Sequence, residues 1–359
     1  MNKPLKIYVK QVFKSIVFWA IAMGLYCMFR FYGLPEIAGI KIDSDYREAM
    51  EFTNIVRLFI FSGVLVGFVF ANIEYFFEKY ASKRTSMGLT MLVKAVLYII
   101  AMVVVSTAAK TFASFKFGIE LNQNGSWWQD KTFHAVLVYV FFVSLVFSFI
   151  KIANEKFGKG VFLKMLLGRY KKPQEEKRIF MFLDLKSSTT IAERLGHFKY
   201  SQLIQDCFYD LNEIVPKYSA EIYQYVGDEA VLSWPYEKGL ANNNCVKMYF
   251  EFAAALNNKA DYYNQKYGLT PLFKAGLHGG TLMVAEVGVV KKELAFHGDV
   301  INTSARIQSE CNTYDVPILI SESLKDALKT PNAFNSKHMG NVLLRGKESK
   351  LNIYTLTAS

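Results

Sequence analysis

Two aspartates in the second half of the chain follow runs of apolar residues. Asp184 ends the run 179–183, and Asp228 follows Gly227 between two alternating apolar runs. The first pattern is typical of a buried strand, and the second of a hairpin with a carboxylate at its tip. A lone aspartate in either place is more often a helix cap or a turn residue. Two carboxylates on neighbouring strands, however, are suited to binding two divalent cations and a triphosphate.

The residues after Asp184 are suited to phosphate binding. Lys186, Ser187, Ser188 and Thr189 precede the helical pattern Ile-Ala-Glu-Arg-Leu. Because the first N–H groups of a helix lack partners within the helix, they attract phosphate oxygens. The segment therefore predicts a phosphate site beside a cation held by Asp184.

A third pattern places an amide and a guanidinium on one helical face. Gly298 and Asp299 open a helix in which Asn302 and Arg306 lie four residues apart, a spacing that makes them neighbours on the helix surface. An amide suits a ribose, and a guanidinium suits a phosphate that gains negative charge in a transition state. For a lone arginine, a surface salt bridge is the ordinary interpretation.

Three sequence strings carry these residues in order, namely FLDLKSST, YVGDEAVLSW and GDVINTSARIQ. Their order and spacing resemble a class III nucleotidyl cyclase catalytic domain, over about residues 177–357. The resemblance implies an α+β fold of the ferredoxin-like or palm type that forms a head-to-tail homodimer. It also implies active sites that are shared across the dimer interface.

The resemblance assigns roles to individual residues. It implies that Asp184 and Asp228, with the backbone of Leu185, hold two Mg²⁺ or Mn²⁺ ions. Asn302 would orient the ribose and Arg306 would stabilise the α-phosphate, both from the other subunit. The reaction implied is in-line attack of the ribose 3′-oxygen on the α-phosphorus, with release of pyrophosphate. The triphosphate would be bound by Lys186, Ser187, Ser188, Thr189, Gly227 and Lys347, with Arg345 as a weaker alternative to Lys347.

The positions that read the base depart from the family pattern. Better-known members carry a Lys and an Asp or Thr where this chain has Gln224 and Ala295. The amide of Gln224 can donate and accept, so it suits either purine, and Glu293 is a further candidate for base contact. The string ELAFHGD resembles bacterial membrane cyclases, which favours ATP and a cyclic AMP product. GTP and cyclic GMP are the alternative.

Other classes of protein fit the sequence less well. A non-catalytic nucleotide-binding signalling protein would not be expected to keep Asp184, Asp228, Asn302 and Arg306 together. A diguanylate cyclase is suggested by Gly-Asp-Glu at 227–229, but the second Gly before the acid is missing. A transporter with a regulatory domain is disfavoured because the apolar segments show no broken helices and no evident repeats.

The N-terminal half predicts a membrane domain. The 359 residues are 52% hydrophobic and 20% charged, with a mean hydropathy of +0.15. This half contains four apolar runs, and the length of each is close to the roughly 20 residues that a helix needs to cross a bilayer. The four cysteines show no CxxC spacing, which excludes a disulfide scaffold and a thiolate zinc site. We therefore expect an all-α domain of four transmembrane helices, at about 12–33, 56–77, 88–109 and 133–152.

The charge distribution predicts the orientation of these helices. Net charge is +7 over residues 1–153, +5 over 154–178 and −1 over 179–359. Basic residues flank the N-terminus and the end of the fourth run, so both should be cytoplasmic, as in a bacterial inner membrane protein. The nearly neutral C-terminal half carries no basic face for nucleic acid. The predicted domains are 1–153 in the membrane, 154–176 as a juxtamembrane linker and 177–359 as the catalytic domain, with ATP or GTP, a second copy and the lipid bilayer as partners.

Overall fold

The structure is a computed structural model that describes residues 3–32, 52–77, 87–117, 131–157, 161–290, 292–328, 334–343 and 350–358. The chain divides into two compact units, Met1–Ile152 and Ala153–Ser359. Each unit has its own buried core and is described separately.

Long helices make up the described part of the first unit. They are α1 (Lys3–Tyr32), α2 (Phe52–Phe76), α3 (Met87–Phe117) and α4 (Lys131–Phe157), the last of which runs past the unit boundary. Their apolar faces meet in a cluster that includes Trp19, Phe70, Met102 and Val140.

Three of the helices are long and apolar enough to cross a membrane, over Tyr8–Arg30, Val56–Phe76 and His134–Lys151. In α3 the apolar stretch found among the described residues is shorter, Val96–Ala108. A stretch of that length covers only about 20 Å of the roughly 30 Å of hydrocarbon. The structure thus supports three of the four predicted spans, and the span at 88–109 stays a prediction.

A buried carboxylate joins three of these helices. Glu74 of α2 accepts hydrogen bonds from Lys94 (2.9 Å) and Tyr98 of α3 and from Lys151 of α4. Glu74 is 8% exposed. Because a buried charge is costly unless it is paired, the two lysines compensate Glu74 and fix α3 and α4 against α2.

The second unit contains one mixed sheet covered by helices. The described strands follow the order β2-β3-β1-β4-β6-β8-β7, and β5 pairs with β4. The pair β4–β6 is parallel and the others are antiparallel. This arrangement agrees with the expected α+β class. The strands are β1 (Gln174–Leu185), β2 (Glu221–Val226), β3 (Glu229–Pro235), β4 (Phe273–Val287), β5 (Glu293–His297), β6 (Ile318–Ser321), β7 (Phe334–Val342) and β8 (Leu351–Ala358).

The helices of this unit lie on the two faces of the sheet. They are α5 (Val161–Leu166), α6 (Ser188–Ile214), α7 (Tyr236–Leu240), α8 (Asn244–Asn258), α9 (Ala260–Tyr267), α10 (Asp299–Thr313) and α11 (Glu322–Ala327). Alternate residues of β1 point to opposite faces. Ile179, Met181 and Leu183 pack in the larger core with α6, α8 and α9, whereas Phe180 and Phe182 pack with α5, β5 and α10.

Helix α10 lies against β4 without an intervening side chain. A Cβ atom on Gly276 would stand 2.2 Å from the backbone nitrogen of Gln308. Val300, Ile307 and Cys311 of α10 are buried in this contact. Glycine at 276 therefore sets the distance between α10 and the sheet, and with it the position of every side chain on α10.

We predict that Gly276→Ala lowers the free energy of unfolding by about 1–3 kcal/mol, the usual cost of overpacking, because the new methyl group meets backbone atoms that cannot rotate away. Thermal unfolding of the full chain measures this. Gly280→Ala is the matched control, since its Cβ would meet one side-chain methyl of Val300 at 3.0 Å and should cost less. Equal stability of the Gly276→Ala variant and the wild type would contradict the close approach.

Candidate active site

Asp184 and Asp228 lie at the same end of the sheet. Asp184 stands opposite Glu229 of β3 and Lys274 of β4 in the strand register. Asp228 directly precedes Glu229, in the turn that joins β2 to β3. Gly227 in this turn has φ +61°, a left-handed conformation that glycine adopts without strain. The tight turn thus brings the second carboxylate beside the end of β1.

Burial and neighbouring negative charge raise the pKa of two carboxyls at this end of the sheet. Burial, followed by the negative charge of Asp228, raises the pKa of Asp184 to about 6, and the amide of Gln308 partly offsets the rise. Burial and the charges of Asp184 and Asp228 raise the pKa of Glu229 to about 7. Among the described residues, no positively charged side chain offsets these rises for Asp184 and Glu229.

Asp228 shows where such a charge could bind. Its Oδ2 atom is buried and has no hydrogen-bond partner among the described residues. Buried polar atoms without a partner are uncommon, and a carboxylate oxygen in this state is a suitable cation ligand. The described part of the chain holds no group of three or more His, Cys, Asp or Glu arranged for a metal. A cation here would need further oxygen ligands, such as the Leu185 carbonyl or the phosphates of a substrate.

Helix α6 begins at Ser188, as the sequence pattern predicted, and its start lacks a side-chain cap. Ser187 adopts φ 60° and makes no side-chain hydrogen bond to the first turn of α6. The N–H groups that begin at Ser188 and Thr189 therefore remain available for an anion. Lys186 is placed differently, because its Nζ donates to Asp315 Oδ1 at 2.9 Å. Its side chain is committed to that exposed ion pair rather than directed at the carboxylates.

Asn302 and Arg306 lie on the outer face of α10. Gln308 of the same helix donates from Nε2 to Asp184 Oδ2 at 3.3 Å. At about 100° per residue, Asn302 and Arg306 are turned roughly 120–160° away from Gln308. Neither side chain makes a hydrogen bond or ion pair with the described residues. Within one chain, the pair and the two aspartates therefore do not face a common site.

The predicted base-reading positions lie on two strands that are held together by aromatic side chains. Tyr223 of β2 and Phe296 of β5 make an edge contact with ring centroids 4.9 Å apart. Gln224 follows Tyr223, at a register shift in β2, and is exposed. Ala295 and Glu293 lie on the side of β5 opposite Phe296, because side chains alternate along a strand. Lys347 and Arg345, predicted to reach the phosphates, lie outside the described residues.

Sequence reasoning missed three residues that surround the carboxylates. Glu229 and Gln308 belong to the same sequence strings as Asp228 and Arg306. Their membership of these strings was the signal that could have identified them as site residues. The hydroxyl of Tyr200 lies beside Ser188 and Asp228, where burial and the charge of Asp228 raise the pKa of Tyr200. Tyr200 is brought there by α6, which breaks at Gly196 with φ +70°. No pattern in the sequence pointed to this tyrosine.

Comparison with known proteins identifies the family of the second unit. The family model of the adenylate and guanylate cyclase catalytic domain matches residues 170–358. That is more than half of the chain, and the chain belongs to this family.

Individual relatives cover part of the chain. It is 36% identical over 223 residues to adenylate cyclase 2 of Rhizobium meliloti (strain 1021), which covers 62% of this chain and 61% of that protein. It is 24% identical over 185 residues to an adenylate cyclase of Anabaena cylindrica, covering 50% of this chain and 36% of that protein. A bacterial light-regulated adenylyl cyclase structure shares the fold, with a TM-score of 0.51, 16% identity and 66% of each chain covered. The chain thus spans less than two thirds of the length of these curated relatives.

The raised pKa of Asp184 predicts that this carboxylate destabilises the metal-free fold. Between about pH 4 and pH 6 the folded chain keeps a proton on Asp184 that the unfolded chain has released, so stability falls as the pH rises. Asp184→Asn removes this loss. We expect the variant to be more stable than the wild type at pH 8 by about 1–2 kcal/mol, after allowance for solvent screening of a half-buried group, and the gain should shrink towards pH 5. Thermal unfolding of the full chain in EDTA measures both.

Asp206→Asn is the control of opposite sign. Burial pushes the pKa of Asp206 upwards, but hydrogen bonds from Lys266, Tyr267 and Tyr262 outweigh it, and the pKa lies below its usual value. This carboxylate therefore stabilises the fold above pH 4, and the stabilisation is lost on acidification. Asp206→Asn should lower stability at pH 8. A destabilised Asp184→Asn variant at pH 8 would show that the carboxylate pair is compensated in another way.

Proposed function

We propose that the protein is a membrane-anchored adenylate cyclase that converts ATP to 3′,5′-cyclic AMP and pyrophosphate. The observation that carries this proposal is the carboxylate pair at the end of β1, in which Asp228 Oδ2 is buried without a donor. This pair stands in the catalytic domain of a family of adenylate and guanylate cyclases. The two relatives described above are both named adenylate cyclases.

The donor set fits two divalent cations. Asp184 and Asp228 would hold two Mg²⁺ or Mn²⁺ ions with the Leu185 carbonyl, since hard cations prefer carboxylate and carbonyl oxygens. When bound, such ions lower the pKa of a ribose 3′-hydroxyl and neutralise the charge of the phosphates. The protein then needs no nucleophile of its own. Its residues hold the 3′-oxygen and the α-phosphorus in line for attack.

The backbone around Ser187 is the proposed phosphate site. The uncapped N–H groups of Ser188 and Thr189 lie next to Asp184 in sequence and carry the positive end of the helix dipole. Gly227 allows the backbone of the β2–β3 turn to approach the same phosphates. The Lys186 side chain would bind the triphosphate if it exchanged its contact with Asp315 for the phosphates. Lys347 is proposed as a further phosphate ligand from the sequence alone.

A second copy of the chain would complete the site. Asn302 and Arg306 face away from their own Asp184, and the Arg306 guanidinium has no partner among the described residues. In a homodimer with twofold symmetry, α10 of each copy can be presented to the carboxylates of the other. Arg306 would then stabilise charge developing on the α-phosphate, and Asn302 would orient the ribose.

ATP is the proposed substrate, although Ala295 offers no side-chain hydrogen bond to a base. Adenine would be contacted by the Gln224 amide, with Glu293 of β5 as a further group.

The test of the proposed activity is product analysis of the full-length protein in membranes with Mn²⁺ and either ATP or GTP. Cyclic AMP from ATP is expected. Cyclic GMP alone would overturn the substrate, and no product from either would favour a non-catalytic nucleotide sensor.

The membrane arrangement is part of the proposal. Three described helices have the length and apolarity of membrane spans, and α3 is proposed as a fourth. The basic flanks favour a cytoplasmic N-terminus and a cytoplasmic position for residues after 152, in a bacterial inner membrane. The proposed linker, 154–176, begins in the last residues of α4 and ends in the first residues of β1. The test is labelling of Lys3→Cys and Lys172→Cys variants with a thiol reagent that does not cross membranes. Labelling only after the cells are broken would support this topology, and labelling of intact cells would contradict it.

The shared site predicts complementation between two inactive variants. Asp184→Ala and Arg306→Ala should each abolish activity as homodimers, because both sites lose an essential group. Co-expression should restore roughly a quarter of wild-type activity, since half of randomly paired dimers are mixed and each holds one intact site of two. Cyclic AMP formation by co-purified chains measures the recovery. Inactivity of the mixture would contradict sites shared between chains.

The Gln308 contact predicts a role in metal affinity. Gln308→Leu keeps much of the side-chain volume but removes the hydrogen bond that orients Asp184. Loss of a group that orients a metal ligand typically weakens metal binding by about 10-fold or more. We expect the Mn²⁺ concentration for half-maximal activity to rise accordingly. Gln205→Leu, the same change at an exposed position of α6, should leave it unchanged, and an equal effect of both variants would argue against a specific contact.

A further inference from the structure

Helix α5 leaves an apolar face uncovered on the catalytic unit. Val161 and Met165 pack against the sheet cluster that contains Phe180 and Val284. The other side of this short segment carries leucines with much of their surface in solvent, namely Leu163 (59% exposed), Leu166 (67%) and Leu167 (77%). Large apolar side chains grouped in this way mark a surface that binds a partner.

Tyr170 fixes this segment at one end of the sheet. It is 2% exposed, and its carbonyl accepts a hydrogen bond from the backbone N–H of Glu286 at 2.9 Å. Its hydroxyl donates to Glu176 Oε1 at 3.0 Å. The segment 161–170 is therefore docked where β1 begins and β4 ends.

The β4–β5 hairpin projects from the same end. The register pairs Gln174, the first residue of β1, with Val284 of β4. The hairpin turn follows three residues later and carries Val289 (92% exposed) and Val290 (104% exposed). The valines of the turn and the leucines of α5 thus lie at the end of the sheet where the chain enters from α4.

The segment that carries these leucines is basic. Lys164, Arg169, Lys171 and Lys172 are exposed and form no ion pair with the described residues. The segment 161–172 contains no acidic residue. We give the name basal surface to these four basic residues together with Leu163, Leu166, Leu167, Val289 and Val290.

We propose that the basal surface binds the anionic cytoplasmic leaflet, with its valines and leucines in the interface and its basic residues at the headgroups. The inference rests on the proposed membrane anchoring. Apolar residues ringed by unpaired Lys and Arg are suited to an anionic lipid surface. The same four charges on a second copy would repel, which argues against self-association through this surface. In the sequence, Leu163 follows twelve residues after Lys151, where the apolar stretch of α4 ends.

Binding through the basal surface would orient the active site relative to the membrane. Asp184 lies ten residues beyond Gln174 along β1, which corresponds to roughly 30 Å of strand. Binding of the basal surface to lipid would therefore leave the carboxylate end of the sheet open to the cytoplasm, where nucleotide and a second copy can approach it.

Spin labelling of the full chain tests the proposal. Val290→Cys and Leu272→Cys each receive a nitroxide; Leu272 is 62% exposed and precedes β4 at its opposite end, which makes it a matched control. The four native cysteines are buried. Both variants are placed in nanodiscs of phosphatidylcholine with and without about 30% phosphatidylserine. Collision with oxygen and with an aqueous nickel reagent then reports whether each label lies in lipid or in water.

We expect the label at 290 to favour oxygen in anionic discs and the label at 272 to remain accessible to nickel. Lys171→Gln with Lys172→Gln should reduce the lipid contact of the 290 label, whereas Lys238→Gln with Lys247→Gln should not. Equal aqueous accessibility of the two labels would overturn the proposal. So would a short distance between the 290 labels of two copies, which would identify a second chain as the occupant. Cyclic AMP formation by the same discs tests the proposed activity separately.

Discussion

The burial of two neighbouring carboxylates, Asp184 and Asp228, is the constraint on which the candidate site depends. The strand β1 is buried for most of its length, yet it ends in a carboxylate whose pKa is raised to about 6 by burial and by its neighbour. The buried Oδ2 of Asp228 has no donor among the described residues. Folding thus places negative charge where the described residues do not neutralise it. A ligand of positive charge that bound there would stabilise the folded state, which is the physical basis of the proposed cation site.

Helix α10 links this charge to the rest of the proposed mechanism. One side of the helix rests on Gly276 and directs Gln308 to Asp184, whereas the other side presents Asn302 and Arg306 outwards. If the outer residues serve a second copy, each α10 contacts two active sites at once. A displacement of α10 at one site would then also move the residues that α10 contributes to the other site, which is a physical basis for coupling between the two sites.

Much of this arrangement could be predicted from sequence, because the chemistry is concentrated in short strings. The apolar run before Asp184 and the Gly-Asp turn predicted the strand and the hairpin that the structure contains. Other features join distant parts of the chain and leave no local pattern. Lys186 meets Asp315 across 129 positions, and Gln308 meets Asp184 across 124. The exposed ion pair of Lys186 was not predicted for this reason, and its phosphate role stays a prediction. Hydropathy alone predicted four similar spans, whereas α3 shows a shorter apolar stretch than the other three helices.

Titration of the full-length protein with Mn²⁺ in the presence of a non-reactive ATP analogue tests whether the carboxylate pair binds cations. Because the triphosphate of the analogue also binds Mn²⁺, the loss of the free Mn²⁺ resonance is measured relative to the same analogue without protein, and it reports binding without requiring turnover. The wild type should bind Mn²⁺, Asp184→Asn and Asp228→Asn should each lose most of that binding, and Asp206→Asn should retain it. Undiminished Mn²⁺ binding by Asp184→Asn or by Asp228→Asn would contradict the assignment of this carboxylate pair as the cation site.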